Sequence, residues 1–218
     1  MSRHRLLFSF IIFSACCGIC AVVIEFGILQ APVFFSFGLN IAAAVALYFP
    51  SRILSGDKLE HYKKYCCIYL LILYSVLMVT LMFTDEEFLR NKAYSGSYSD
   101  YNSRNLNLIP FKTIILYIKG TIMGDLLLSQ LIVNLFGNFI AFMPLGLLLP
   151  TLFEKLRTPI RFLLFMTIVI CLMESMQYFL KTGVCDIDDL MLNLSGACLA
   201  FHLWRRHQDK KIRRSASY

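Results

Sequence analysis

Charge is scarce in this chain. Only 16% of its 218 residues are Asp, Glu, Lys or Arg, against roughly 25% in soluble globular domains. Hydrophobic residues make up 58%, and the mean hydropathy is +0.65. These values exclude a soluble domain and leave a polytopic membrane protein. Also missing are a His-Glu-x-x-His helix and a Gly-rich phosphate-cradling loop, so neither a zinc hydrolase nor a nucleotide site of that kind is readable. The eight cysteines form no framework. Cys16, Cys17, Cys20, Cys171 and Cys198 fall in apolar runs, Cys66 and Cys67 fall at the edge of one, and only Cys185 is expected outside, with no disulfide pattern or metal-ligand spacing. The net charge of +7 does not point to nucleic acid, because the basic residues cluster at the ends of apolar runs.

Six runs reach or approach the ~20 residues a spanning helix needs. They are Leu6–Leu29, Val33–Phe49, Cys66–Phe83, Leu131–Phe153, Ile160–Phe179 and Ile187–Trp204. The expected fold is therefore an all-α transmembrane bundle. Pro32 breaks the first two runs into a hairpin. A polar stretch, 85–130, separates the third from the fourth, and its Tyr94-Ser-Gly-Ser-Tyr-Ser-Asp segment reads as loop by composition.

Basic residues set the orientation. With the N-terminus cytoplasmic, the inside segments hold Arg3 and Arg5, then Arg52, Lys58, Lys63 and Lys64, then Lys155, Arg157 and Arg161, and finally Arg205, Arg206, Lys210, Lys211, Arg213 and Arg214. Of the remainder, Arg90, Lys92, Arg104, Lys112 and Lys119 share one long loop, where charge has less weight on topology, and Lys181 stands apart. Both termini are expected in the cytoplasm. A lipoprotein-type signal ending Phe13-Ser14-Ala15-Cys16 is the alternative for the N-terminus, but hydrophobicity continues to Leu29 and favours a span.

Polar groups inside oily runs are costly and mark candidate sites. Asn134 and Asn138 are i,i+4, Glu174 and Gln177 are i,i+3, and Asp186, Asp189 and Asn193 are i, i+3 and i+7, so each set lines one face of a helix. With Asp188 they are expected at one depth near the outer surface, in a common pocket. Capping of the sixth helix is an equal expectation for Asp186. Between the third and fourth spans, 111–118 is apolar but too short to cross, as in an interfacial or re-entrant helix, and Pro110 suits its start. Arg104, Asn107, Lys112 and Lys181 are candidate contacts to headgroups or ligand at the outer surface. For the lysines and Arg104, snorkelling toward headgroups is the simpler role.

No catalytic residue can be assigned. Asp186, Asp188 and Asp189 could hold a hard cation with Glu174 as base, but no complete binding loop is readable, and no metal or other cofactor is expected. Ser195 and His202 are seven residues apart on one helix, about 10 Å along its axis, too far for a nucleophile and its base.

Four segments in order resemble the signatures of VanZ-like membrane proteins: Arg104-Asn-Leu-Asn107-Leu-Ile-Pro110-Phe111; Asn134-Leu-Phe-Gly137-Asn138-Phe-Ile-Ala-Phe-Met-Pro144-Leu-Gly146; Glu174-Ser-Met-Gln177; and Asp186-Ile-Asp188-Asp189-x-x-x-Asn193-x-x-Gly196. The resemblance covers about residues 100–200. It implies a multi-pass protein of the bacterial cytoplasmic membrane, associated with reduced susceptibility to teicoplanin-type lipoglycopeptides. The expected partners are the bilayer and a lipid-linked wall precursor or lipoglycopeptide. Many relatives carry an Arg just before the Asp-rich turn, where this chain has Lys181. The implied division is an N-terminal hairpin and loop (1–65), a VanZ-like membrane domain (66–204) and a basic cytoplasmic tail (205–218). The chain is read as non-enzymatic; the rival is a membrane enzyme or transporter acting on a lipid-linked envelope component.

Overall fold

The computed structural model describes residues 3–25, 33–83 and 105–215. Arg104, Pro32 and the Ser/Tyr/Gly-rich segment lie outside them. The chain divides into two compact units, Met1–Phe88 and Leu89–Tyr218.

The first unit contains α1 (Arg3–Glu25), α2 (Val33–Ser51) and α3 (Asp57–Phe83). Small residues let α1 and α2 approach closely: Ala21, Ala43 and Ala46 are buried between them. Polar side chains join the helices through backbone carbonyls, a favoured use of hydroxyls in apolar surroundings. Ser14 Oγ donates to the Ala43 carbonyl at 3.0 Å, Tyr69 Oη to that of Ser14 at 2.8 Å, and Tyr62 Oη to that of Leu47 at 3.0 Å. Asp57 and Glu60 lie in the first turn of α3, where the macrodipole favours acids.

The second unit contains β1 (Leu106–Asn107), α4 (Lys112–Met123), α5 (Leu128–Ala141), α6 (Met143–Leu152), a 3₁₀ turn at Glu154–Arg157, α7 (Pro159–Phe179), β2 (Cys185–Asp186) and α8 (Ile187–Ser215). α8 is the hub, packed against α4, α5, α6 and α7. β1 and β2 form a two-residue parallel bridge that pairs Leu106 with Cys185 and Asn107 with Asp186.

Local chemistry explains the boundaries that hydropathy misplaces. α5 begins at Leu128 rather than Leu131, because Gln130 Oε1 accepts the Leu127 N–H at 3.0 Å and supplies the capping that apolarity cannot report. The expected fourth span is two helices, α5 and α6, broken at Phe142. Pro144 has no N–H for the Ile140 carbonyl and its ring crowds that turn, so the α-helical ladder cannot run through. α8 continues 11 residues beyond Trp204, since Arg, Lys and Gln are good helix formers and the change from apolar to basic is no stop signal.

The core of the second unit is a stripe on α7, Phe162, Met166, Ile170 and Glu174, every fourth residue and all buried. Phe162 stacks on Phe201 of α8 with ring centroids 4.4 Å apart. The opposite stripe, Ile160, Leu164, Ile168 and Leu172, is exposed, as on a helix surrounded by lipid. Two glycines set the helix separations: a Cβ on Gly196 would stand 1.7 Å from the Phe139 carbonyl oxygen, and one on Gly146 2.4 Å from that of Ala197.

Three helical stretches among the described residues are long and apolar enough to cross a membrane: Asp57–Phe83, Leu128–Leu152 and Pro159–Phe179. Ser9–Val22 and Gly38–Ser51 are shorter apolar stretches. The molecule is thus mostly helical and suited to a membrane.

The glycines give a sharp contrast in packing. Gly196→Ala meets backbone, which cannot yield as a flexible side chain would, and should destabilise by about 1–3 kcal/mol or more. Gly137 has open space at its Cβ, so Gly137→Ala should be neutral or stabilising by up to about 1 kcal/mol. Thermal unfolding of both variants in detergent measures the difference; equal midpoints would contradict the packing.

Candidate functional site

α4 starts without a cap of its own. Its N-cap position is Phe111, which has no side-chain acceptor, although the first amides of any helix need one. The acceptor comes from the start of α8. Asp188, fully buried, receives the N–H groups of Phe111, Thr113 at 2.8 Å and Ile114 at 3.2 Å. The Lys112 N–H goes to the Ile109 carbonyl at 3.3 Å, so each opening amide of α4 has a partner. One carboxylate thus lies in the first turn of its own helix and against the N-terminus of another, two places where the macrodipole favours negative charge. Phe111 holds φ 64°, a left-handed conformation that costs a non-glycine residue about 1–2 kcal/mol.

Asp186 joins the same cluster. Its Oδ1 accepts the Asp188 N–H at 2.9 Å, the capping geometry expected for it, and also the Asn107 amide at 2.9 Å. Its Oδ2 accepts the Thr113 hydroxyl at 2.5 Å. Asn107 Nδ2 also donates to Thr113 Oγ1 at 3.0 Å, and its Oδ1 receives the Ile109 N–H at 3.3 Å. Asn107, a candidate for headgroup or ligand contact, is 7% exposed, and its amide is engaged in holding the loop to the Asp-rich turn. Glu174, last of the α7 stripe, reaches the Asp186 N–H at 3.5 Å.

The three aspartates of the turn do not share one partner segment. Asp189, one residue on and therefore about 100° around the helix, turns away from α4 and accepts the Asn138 amide of α5. Asp186 and Asp188 both hold the loop and the start of α4, and Asp189 holds α5. Among the described residues no group of three or more His, Cys, Asp or Glu side chains is arranged to hold a metal ion.

The other candidates lie around this cluster. Asn193, 1% exposed, is one turn below Asp189, and its Oδ1 has no hydrogen-bond partner. Asn134 is half-buried on α5. Gln177 is half-buried near the end of α7, with its Cβ against Gly183. Lys181 follows α7 with φ 58° in the position glycine usually takes, and Thr182 N–H closes the turn on the Gln177 carbonyl at 3.0 Å. Lys112 is exposed on the first turn of α4.

Sequence reasoning missed Thr113, which bonds Asp186, Asp188 and Asn107 at once. A β-branched hydroxyl in the turn after Pro110-Phe111 was the only local signal. Cys185, expected outside the spans with no disulfide or metal role, is half-buried beside this cluster, and burial pushes its thiol up, with the Glu174 and Asp186 carboxylates adding to the effect.

Two measurements test this geometry. Asp188→Ala leaves three donors without their acceptor, at about 1–3 kcal/mol each, so hydrogen exchange at the Phe111, Thr113 and Ile114 amides should accelerate strongly while the middle of α7 stays protected. Unchanged exchange would mean that Asp188 does not cap α4. Raising a thiol's pKa lowers its thiolate fraction at any given pH, so a variant retaining only Cys185 should react with iodoacetamide more slowly near pH 8 than an exposed thiol does.

The VanZ/LLP1 family model matches residues 67–208, more than half of the chain. The match begins ahead of the motif segments, takes in most of α3 and leaves α1 and α2 outside. No curated protein and no solved structure matches. The Asn107 loop, the Asn138 helix, Glu174 and the Asp186–Asn193 turn, brought together around the start of α8, all fall within the matched region, and the chain belongs to the VanZ/LLP1 family.

Proposed function

We propose that this protein lowers susceptibility to teicoplanin-type lipoglycopeptides by acting at the outer face of a bacterial cytoplasmic membrane. The observation that carries this reading is α4. It has no buried residue, and Ile115, Ile118 and Ile122 are exposed on the side that also bears Lys112 and Lys119. An apolar face interrupted by lysines suits an amphiphile with acyl chains and an anionic or polar head, such as a lipid-linked wall precursor or a lipidated antibiotic. The acids act by position: Asp186 and Asp188, with Asn107 and Thr113, hold α4 and its loop in place. The topology that goes with this has six spans, adding α1, α2 and the apolar part of α8 to the three long apolar helices, with both termini cytoplasmic.

The rival reading, an enzyme or transporter for a lipid-linked envelope component, draws support from the buried Glu174 and the unpartnered Asn193 Oδ1. Divalent-metal dependence would favour the enzyme, and proton-coupled flux the transporter.

Teicoplanin carries an acyl tail that vancomycin lacks, and each buried CH₂ contributes about 0.8 kcal/mol toward the membrane. Expression in a susceptible Gram-positive host should therefore raise the inhibitory concentration of teicoplanin more than that of vancomycin, with an unaltered precursor terminus. Equal protection against both drugs, or a changed precursor, would reject the reading. Glu174→Ala, Asp189→Ala and Asn138→Leu should abolish protection at normal membrane abundance; active, abundant variants would remove those residues from the site. Tags at Ser2 and Tyr218 should be cytoplasmic and a cysteine at Ser97 should label from outside; a C-terminus accessible from outside would invert the topology.

A further inference from the structure

The end of the second unit away from the Asp-rich turn is strongly basic, and contacts among its helices define its shape. Trp204 Nε1 of α8 donates to Thr151 Oγ1 at the end of α6, at 2.9 Å. Phe201 stacks on Phe162 in the first turn of α7. Arg157 Nε reaches back to the Pro150 carbonyl at 3.1 Å, which pins the 3₁₀ turn to α6. Those three ties bring the end of α6, the 3₁₀ turn, the start of α7 and α8 near Trp204 into one layer. Exposed in or next to that layer are Lys155, Arg157, Arg161, Arg205 and Arg206. Two acids accompany them: Glu154 is engaged by Arg157 at 3.3 Å, and Asp209 is exposed on α8 one turn beyond Arg205. Past Trp204, α8 remains helical through Lys210 and Lys211, so the positive charge stands on a rigid rod, while the apolar side chains adjoining the layer, Phe153, Ile160, Leu164 and Leu203, are exposed.

We propose that this collar binds the headgroup of an anionic phospholipid. The basic residues match its phosphate, the exposed apolar belt beside them matches its acyl chains, and Trp204 occupies the border where amphipathic rings favour the headgroup level. A free phosphate would use only the first of these features.

The test uses the full chain purified in mild detergent and examined by native mass spectrometry. Dioleoyl-phosphatidylglycerol should be retained at least about ten-fold more than dioleoyl-phosphatidylcholine, with the preference shrinking as salt rises. Lys155→Gln/Arg161→Gln/Arg205→Gln should lose about ten-fold or more of that preference. The charge-keeping pair Arg161→Lys/Arg205→Lys should retain most of it, and a triple Lys58→Gln/Lys63→Gln/Lys64→Gln should leave it unchanged. Equal retention of the two lipids by the unmodified protein would overturn the proposal, as would a neutralised collar that keeps the full preference. Displacement of the lipid by inorganic phosphate at an ionic strength where chloride leaves it bound would also overturn it, since the site would then be one for phosphate alone. If the neutralised variant does not fold, the comparison of lipids on the unmodified protein and on the Lys pair decides.

Discussion

Everything at the candidate site depends on one buried carboxylate. Placing Asp188 among apolar helices without partners would cost several kcal/mol, and the arrangement works because three backbone amides of α4 receive it. The need is mutual. α4 begins at a residue with no acceptor and has no buried side chain to anchor it, so its position is fixed chiefly by its first turn. Asp186 and Thr113 extend the attachment, and the two-residue bridge between β1 and β2 keeps the loop from sliding along the turn.

The same economy governs the helices beneath. α8 meets α5 and α6 where Gly196 and Gly146 remove the side chain between backbones, which brings Asn138 within reach of Asp189. In a setting where lipid is as apolar as leucine, close backbone packing and interhelical hydrogen bonds supply the association that the hydrophobic effect gives soluble proteins. The buried stripe on α7 ends in Glu174, so the apolar core and the polar cluster are successive levels of one helix face.

Much of this was legible in the sequence and some was not. The apolar runs mark α1, α2, α3, α7 and the start of α8 to within a few residues at most ends, since hydropathy and helix length share one scale in a bilayer. The start of α3 and the far end of α8 escaped, because charged residues with good helix propensity extend a helix without extending the apolar run. The polar signatures fall in the region where chain segments meet. Their partners could not be read, because hydrogen bonds such as that from Thr113 to Asp188 join residues 75 apart and leave no periodic trace. Periodicity also suggested that Asp186 and Asp189 share a helix face, whereas Asp186 precedes the helix and serves as its cap.

The long reach of the Asp188 contact bears on the order in which the protein is made. α4 leaves the ribosome 75 residues before its capping acceptor, a delay of roughly 4–15 s at 5–20 residues per second. During that interval α5, α6 and α7 can be formed while the opening amides of α4 still lack the acceptor they use in the finished protein. The surface helix is early in the chain and late in acquiring its place. Its docking marks the moment at which the last apolar run of the chain has emerged far enough to begin α8.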